Sequence, residues 1–230
     1  MPHPISAITV KDRSGFLIIK IVKISLLWPH TAKKEQHGTE MIKKCRILSF
    51  FLVFLWLTGV CGAQDFALSL YGGRMTTETW QDALFQKPDF ADAGIVVVAG
   101  AWTFKRYLDD ALSLELEAQV AKYFGDQDNW EFNMPILTLR WHRFPWERYV
   151  ATTFAWGIGP SYATHVPEVE VAVKGDSEQW LVYWFGELTF GPPQGRWAVL
   201  LRLHHRSGAF DLVAEDGGSN TLTAGLKFYF

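Results

Sequence analysis

From Phe66 to Phe230 the dominant repeat in the sequence is two residues. That is the period of an extended chain whose side chains alternate between opposite faces. A strand with one apolar face must lay that face against something apolar, so this feature constrains the fold more than any other. The last ten residues show it most fully. Leu222, Ala224, Leu226, Phe228 and Phe230 share one face, and Thr221, Thr223, Gly225, Lys227 and Tyr229 share the other. Eight such segments occur, at residues 66–73, 94–104, 112–124, 131–144, 149–162, 179–191, 197–208 and 220–230. Most are near the ~9–11 residues a tilted membrane-crossing strand needs. The expected fold is all-β: an eight-stranded antiparallel transmembrane β-barrel of the outer-membrane type.

The connections agree. Those after the even strands, 105–111, 145–148 and 192–196, are short, whereas 74–93, 125–130, 163–178 and 209–219 are mostly longer and acidic. Short turns at one end and long loops at the other are the outer-membrane pattern, and an even strand number returns both termini to the periplasm. On the third strand Leu112, Leu114, Leu116, Ala118 and Val120 oppose Ser113, Glu115, Glu117 and Gln119. On the fifth, Val150, Thr152, Phe154, Trp156 and Ile158 oppose small residues. A soluble lipocalin-like barrel would use the same alternation with the apolar face inward. Tryptophans near the strand ends (Trp102, Trp141, Trp146, Trp180, Trp197) fit interfacial girdles and favour the membrane reading. Eight strands enclose side chains rather than a water-filled channel, which excludes a porin. Glu115, Glu117, Glu187, Arg202 and Lys227 all fall on inward faces, where an ion-pair network is expected. Acidic residues of the long loops, Asp126, Asp128, Glu168 and Glu170, are expected on a solvated surface that could meet cations bridging lipopolysaccharide. The terminal aromatic strand resembles the signal that bacterial outer-membrane barrels present to the barrel-assembly machinery, here ending on Phe230.

Ahead of the alternation stands a different kind of sequence. Met41-Ile42-Lys43-Lys44 is basic, residues 47–60 are apolar, and Gly62-Ala63-Gln64 is small. That order is a secretory signal peptide's. Residues 1–40 are read as an upstream extension from a misassigned start codon, 41–64 as the signal peptide and 65–230 as the barrel domain. The competing reading makes 16–28 part of the export signal, although Lys20 and Lys23 interrupt it. Residues 57–61 resemble a lipoprotein box only faintly, because Val60 is bulky beside Cys61. Removing the leader changes the chemistry of what remains. Residues 65–230 hold 13 Lys or Arg and 21 Asp or Glu, a net charge of −8, which argues against a nucleic-acid partner. Both cysteines, Cys45 and Cys61, lie in the leader, so no disulfide framework or thiolate site is expected.

One segment carries candidate chemistry. On the seventh strand Trp197, Val199, Leu201 and Leu203 face lipid, and parity puts His205 and Ser207 on the same face. A polar pair facing lipid costs free energy unless it sits at the interface or performs a function. Histidine and serine two apart on one strand face can serve as base and nucleophile. The plainer reading is that they mark where the strand leaves the hydrocarbon, with His204 and Arg206 pairing inside.

Here the chain resembles the outer-membrane lipid A 3-O-deacylases of the PagL type. Those are eight-stranded barrels with a His-x-Ser motif late in the chain and an acidic residue early in the last strand. His205-Arg206-Ser207 matches the motif. The resemblance implies a serine esterase that hydrolyses an acyl ester of lipopolysaccharide at the outer leaflet of the bacterial outer membrane, with no cofactor or metal. It departs from the family in two places. Gly208 replaces the usual Asn after the serine, and Asn220 stands where the family has its catalytic Glu. The resemblance therefore implies Ser207 as nucleophile, His205 as base and Asn220 as its orienting partner. Gly208 or Asp216 would hold the oxyanion, and Asp216 or Glu215 could supply the missing charge. The competing class is a non-enzymatic small barrel with an envelope-structural or surface-contact role.

Overall fold

The computed structural model describes residues 64–230 apart from 210–212 and 214–216. The expected upstream extension and nearly all of the expected signal peptide lie outside the described residues. Each alternating segment forms strand. The elements are β1 (Phe66–Thr76), α1 (Trp80–Phe85), β2 (Phe90–Tyr107), β3 (Leu112–Gly125), β4 (Trp130–Asn133), β5 (Leu137–Trp141), β6 (Ala151–Ala163), α2 (Glu168–Lys174), β7 (Trp180–Gly191), β8 (Trp197–Ser207) and β9 (Gly218–Tyr229). Every pairing is antiparallel, and β9 pairs with β1 from Ala67↔Tyr229 to Thr76↔Asn220, which closes the ring. Phe66 and Phe230 exchange backbone hydrogen bonds (3.3 and 2.8 Å) at the seam, leaving no free edge.

β4 and β5 are two halves of the fourth strand, so the ring has eight staves. The expected unbroken segment 131–144 is interrupted at Met134-Pro135-Ile136. Asn133 pairs with Ser161 and Leu137 with Ile158, so the fourth strand carries one more residue than β6 across the same span. Proline has no N–H for the ladder. The Pro135 carbonyl accepts from Glu117 N (3.1 Å), and Met134 N donates to Pro160 O (3.1 Å). Gly159 makes the close approach possible, because a Cβ there would lie 2.1 Å from Met134 O. The bulge reverses the face. Phe132, Met134 and Ile136 point outward before it, and Leu137, Leu139 and Trp141 after it.

Elsewhere the parity read from the sequence holds. The five girdle tryptophans are exposed, as are Leu70, Val98, Phe154, Val199 and Phe228. Thr152 lies on the outward face yet is buried, because Trp146 folds over it and its Nε1 donates to Thr152 Oγ1 (2.9 Å). The inside is ionic. Arg140 binds Glu115 through Nε (2.8 Å) and Nη2 (3.1 Å), and Glu187 through Nη1 (2.9 Å). Arg202 reaches Glu117 through Nη1 and Nη2 (2.6 and 2.9 Å) and Glu187 through Nε (2.9 Å). Lys227 Nζ donates to Glu187 Oε1 (2.9 Å). The Arg202 guanidinium also lies 3.8 Å from the Phe185 ring centroid. A barrel apolar outside and charged inside is a membrane barrel.

The long connections are more ordered than expected. Residues 74–93 and 163–178 were expected as loops, yet they contain α1 and α2. Glu170, expected on a solvated surface, is only 1% exposed. α2 turns its Val169–Glu170 face into the outer mouth. There Glu170 takes Arg206 Nη1 (2.8 Å), Ser177 Oγ (2.6 Å) and Ser219 Oγ (2.7 Å). The cause is electrostatic: Arg206 points inward near the end of the barrel and needs a counter-charge.

Candidate active site

The candidate residues lie near the outer end of β8, where its two faces do different work. Inward, His204 Nε2 contacts Glu131 Oε1 (2.7 Å), and Arg206 holds Glu170 and Ser161 Oγ (2.8 Å). The residues on either side of His205 are thus pinned from within, which fixes the backbone that carries it. Outward, Trp197, Val199 and Leu201 are exposed, but the next residue on that face, Leu203, is only 4% exposed. The lipid-facing stripe ends there. His205 and Ser207 continue the same face, half-buried.

His205 sits in a register shared by three strands. It pairs with Trp184 on β7 and with Asn220 on β9. Its Nδ1 lies 2.6 Å from Asn220 Oδ1, and its ring lies tilted against Trp184, at 4.6 Å and 42°. Asn220 is 3% exposed and fully engaged. Its Nδ2 donates to Glu78 O (2.8 Å), and its own carbonyl accepts from Thr76 Oγ1 (3.2 Å). Trp80, at the start of α1, meets Trp184 edge-on at 5.7 Å and 85°. The connection after β1 therefore folds back over the outer face of β7–β9 beside the imidazole.

Of the residues expected from the sequence, His205 and Asn220 are brought into direct contact. Ser207 stands two residues along the same face, paired in register with Gly218, and among the described residues no hydrogen bond joins its hydroxyl to the imidazole. Gly208 ends β8, and its carbonyl accepts from Val213 N (3.0 Å). Gly218 has φ +113°, and a Cβ there would lie 2.0 Å from Arg206 O, so only glycine lets β9 start this close to β8. Glu215 and Asp216 lie outside the described residues.

Three neighbours were not read from the sequence: Glu78, Trp80 and Trp184. Trp184 carried a signal, since it lies on the outward face of β7 across a short turn from His205. Glu78 and Trp80 did not. They come from the other end of the barrel domain, and Glu78 reaches Asn220 and Trp80 reaches Trp184 only because the ring closes. The site can offer an imidazole whose Nδ1 is engaged, a hydroxyl on the same face, and an aromatic wall beside them.

No family model matches the chain, and no curated protein is similar to it in sequence. Among solved structures it is similar to the outer membrane enzyme PagL, with a TM-score of 0.53 at 12% identity, over 70% of this chain and 98% of that one. Neisserial surface protein A gives a TM-score of 0.45 at 7% identity, over 73% of this chain and 98% of that one. At 12% identity the likeness to PagL is one of fold, and the fold is that of the eight-stranded outer-membrane β-barrel.

Proposed function

We propose that the chain is a lipid A deacylase of the bacterial outer membrane, hydrolysing an acyl ester of lipopolysaccharide from the outer leaflet. The observation that carries this reading is the 2.6 Å contact between His205 Nδ1 and Asn220 Oδ1 on the lipid-facing side of the outer rim. An imidazole fixed through one nitrogen presents the other as a base, and Ser207 is the hydroxyl on its face. Ser207 Oγ attacks the ester carbonyl while His205 Nε2 takes its proton. The proton then passes to the departing sugar oxygen, and water releases the fatty acid from the acyl-serine. Backbone N–H groups near Gly208 hold the oxyanion. No cofactor enters any step. The shared fold with PagL, an outer membrane enzyme, supports the reading.

A second reading is favoured by one observation, the missing hydrogen bond between Ser207 and His205. It makes the chain a structural barrel whose polar pair marks the membrane interface. Mass spectrometry of lipid A incubated with the purified protein separates the two. The deacylase reading expects loss of one acyl chain, abolished in Ser207→Ala and reduced about 10²-fold or more in His205→Gln. Lipid A unchanged by the wild-type protein leaves the structural barrel.

A further inference from the structure

The first outer connection, residues 77–89, does more than join β1 to β2. Glu78 clasps it closed: its Oε1 accepts from Asp89 N (3.1 Å) and from Thr77 Oγ1 (3.0 Å), and Thr77 N donates to Asp89 O (3.1 Å). Thr79 caps α1 by accepting from Asp82 N (3.3 Å). The closed loop presents one main-chain carbonyl, that of Glu78, to Asn220 Nδ2 (2.8 Å).

That contact has a chemical consequence. A carbonyl oxygen only accepts, so the amide atom facing Glu78 must be the nitrogen. The other amide atom, Oδ1, then faces His205 and can only accept. His205 Nδ1 must therefore carry a proton, and in the neutral imidazole this leaves Nε2 with its lone pair free. A carboxylate at position 220 would set an oxygen against the Glu78 carbonyl, and an apolar residue would leave Nδ1 without a partner.

We propose that loop 77–89 is a working part of the site: the Glu78 carbonyl locks the Asn220 amide, and the locked amide keeps the His205 proton on Nδ1 so that Nε2 is the base. Glu78 and Asn220 are positioning residues, since neither reaches the reacting atoms. Trp80, packed on Trp184, holds the loop against the barrel and extends the aromatic wall beside the imidazole. The value of this arrangement for catalysis rests on the deacylase reading; the tautomer itself does not.

The test is nitrogen-15 NMR of the histidine rings in the full barrel, with the His205 signal assigned by its loss in His205→Gln. In the wild-type protein the expected pattern is a protonated Nδ1 and an unprotonated Nε2. Replacing residues 80–85 by two glycines shortens the loop without touching any strand pairing, and heat-modifiable migration reports whether the barrel still forms. In that variant the Nδ1–H pattern should be lost. Adding Asn220→Asp to the shortened loop should restore it, because the aspartate can accept from Nδ1 and no carbonyl now opposes its second oxygen. If the shortened chain fails to form a barrel, Glu78→Ala opens the clasp alone and is expected to weaken the same signal. An Nδ1–H pattern unchanged by loop shortening, or by Glu78→Ala, overturns the proposal whatever the lipid does. Lipid A left intact by a wild-type protein that shows the expected tautomer removes the deacylase reading and leaves the positioning standing.

Discussion

Glu187 is the residue on which the barrel interior turns. Arg140, Arg202 and Lys227 all converge on its carboxylate, and all four side chains are essentially inaccessible. A buried charge network is stable only while every member is compensated, and removal of one partner strands the others. Glu187→Gln is therefore expected to destabilise the barrel by about 3–5 kcal/mol, read from equilibrium unfolding in denaturant. Ser207→Ala, by contrast, should leave unfolding within about 0.5 kcal/mol of wild type, because among the described residues its half-buried hydroxyl makes no hydrogen bond. At this scale the sequence was informative wherever parity decided the matter. Glu115, Glu117, Glu187, Arg202 and Lys227 were all legible as inward. Which cation meets which carboxylate was not, since pairs such as Arg202 and Glu117 lie on opposite sides of the lumen and 85 positions apart.

At the scale of elements, the bulge in the fourth strand decides where the charges point. Because Met134-Pro135-Ile136 inserts one residue, Arg140 faces the lumen and Leu139 faces lipid. Deleting Ile136 alone would restore a regular strand and leave Arg140 inward, because Leu137 would take its outward place. Deleting Pro135 and Ile136 together would turn Arg140 outward, where a cation on the lipid face costs up to roughly 2–4 kcal/mol. The double deletion would also strip Glu115 of its partner. The double deletion is expected to fail to give the compact, heat-modifiable form on gel electrophoresis, whereas the Ile136 deletion and Pro135→Ala should both still give it. The alternation of 131–144 was legible as a strand. The reversal inside it was not, because one extra residue is visible only against the registers of β3 and β6. α1 and α2 escaped for a different reason: at six and seven residues they are too short to have formed on their own. Packing against the barrel stabilises them.

At the scale of the whole molecule a pH response is expected from the mouth that carries the short turns, where His142 lies in the turn after β5. Its Nε2 is 2.8 Å from Ser113 Oγ, which also reaches Glu115 Oε1 (3.0 Å). Burial, with the Arg140 charge adding to it, lowers the His142 pKa from 6.5 to about 4. The unfolded chain protonates this residue as pH falls through 6.5, while the folded chain resists until about 4. Stability should therefore decline between those two values, with no contribution from His142 above them. His142→Asn should flatten that slope, as measured by the unfolding midpoint against pH.

The sequence by itself determined the strands, their faces and the closure expected of an even ring, because a period of two is imposed locally and lipid outside admits one assignment of faces. It also placed His205, Ser207 and Asn220 on the outward side. The tertiary structure alone decided what surrounds them. Glu78 reaches Asn220 across 142 positions, and α2 drives Glu170 into the lumen to meet Arg206. Such contacts depend on ring closure and on which charges remain unbalanced once the barrel is shut, and neither is encoded in any local run of residues.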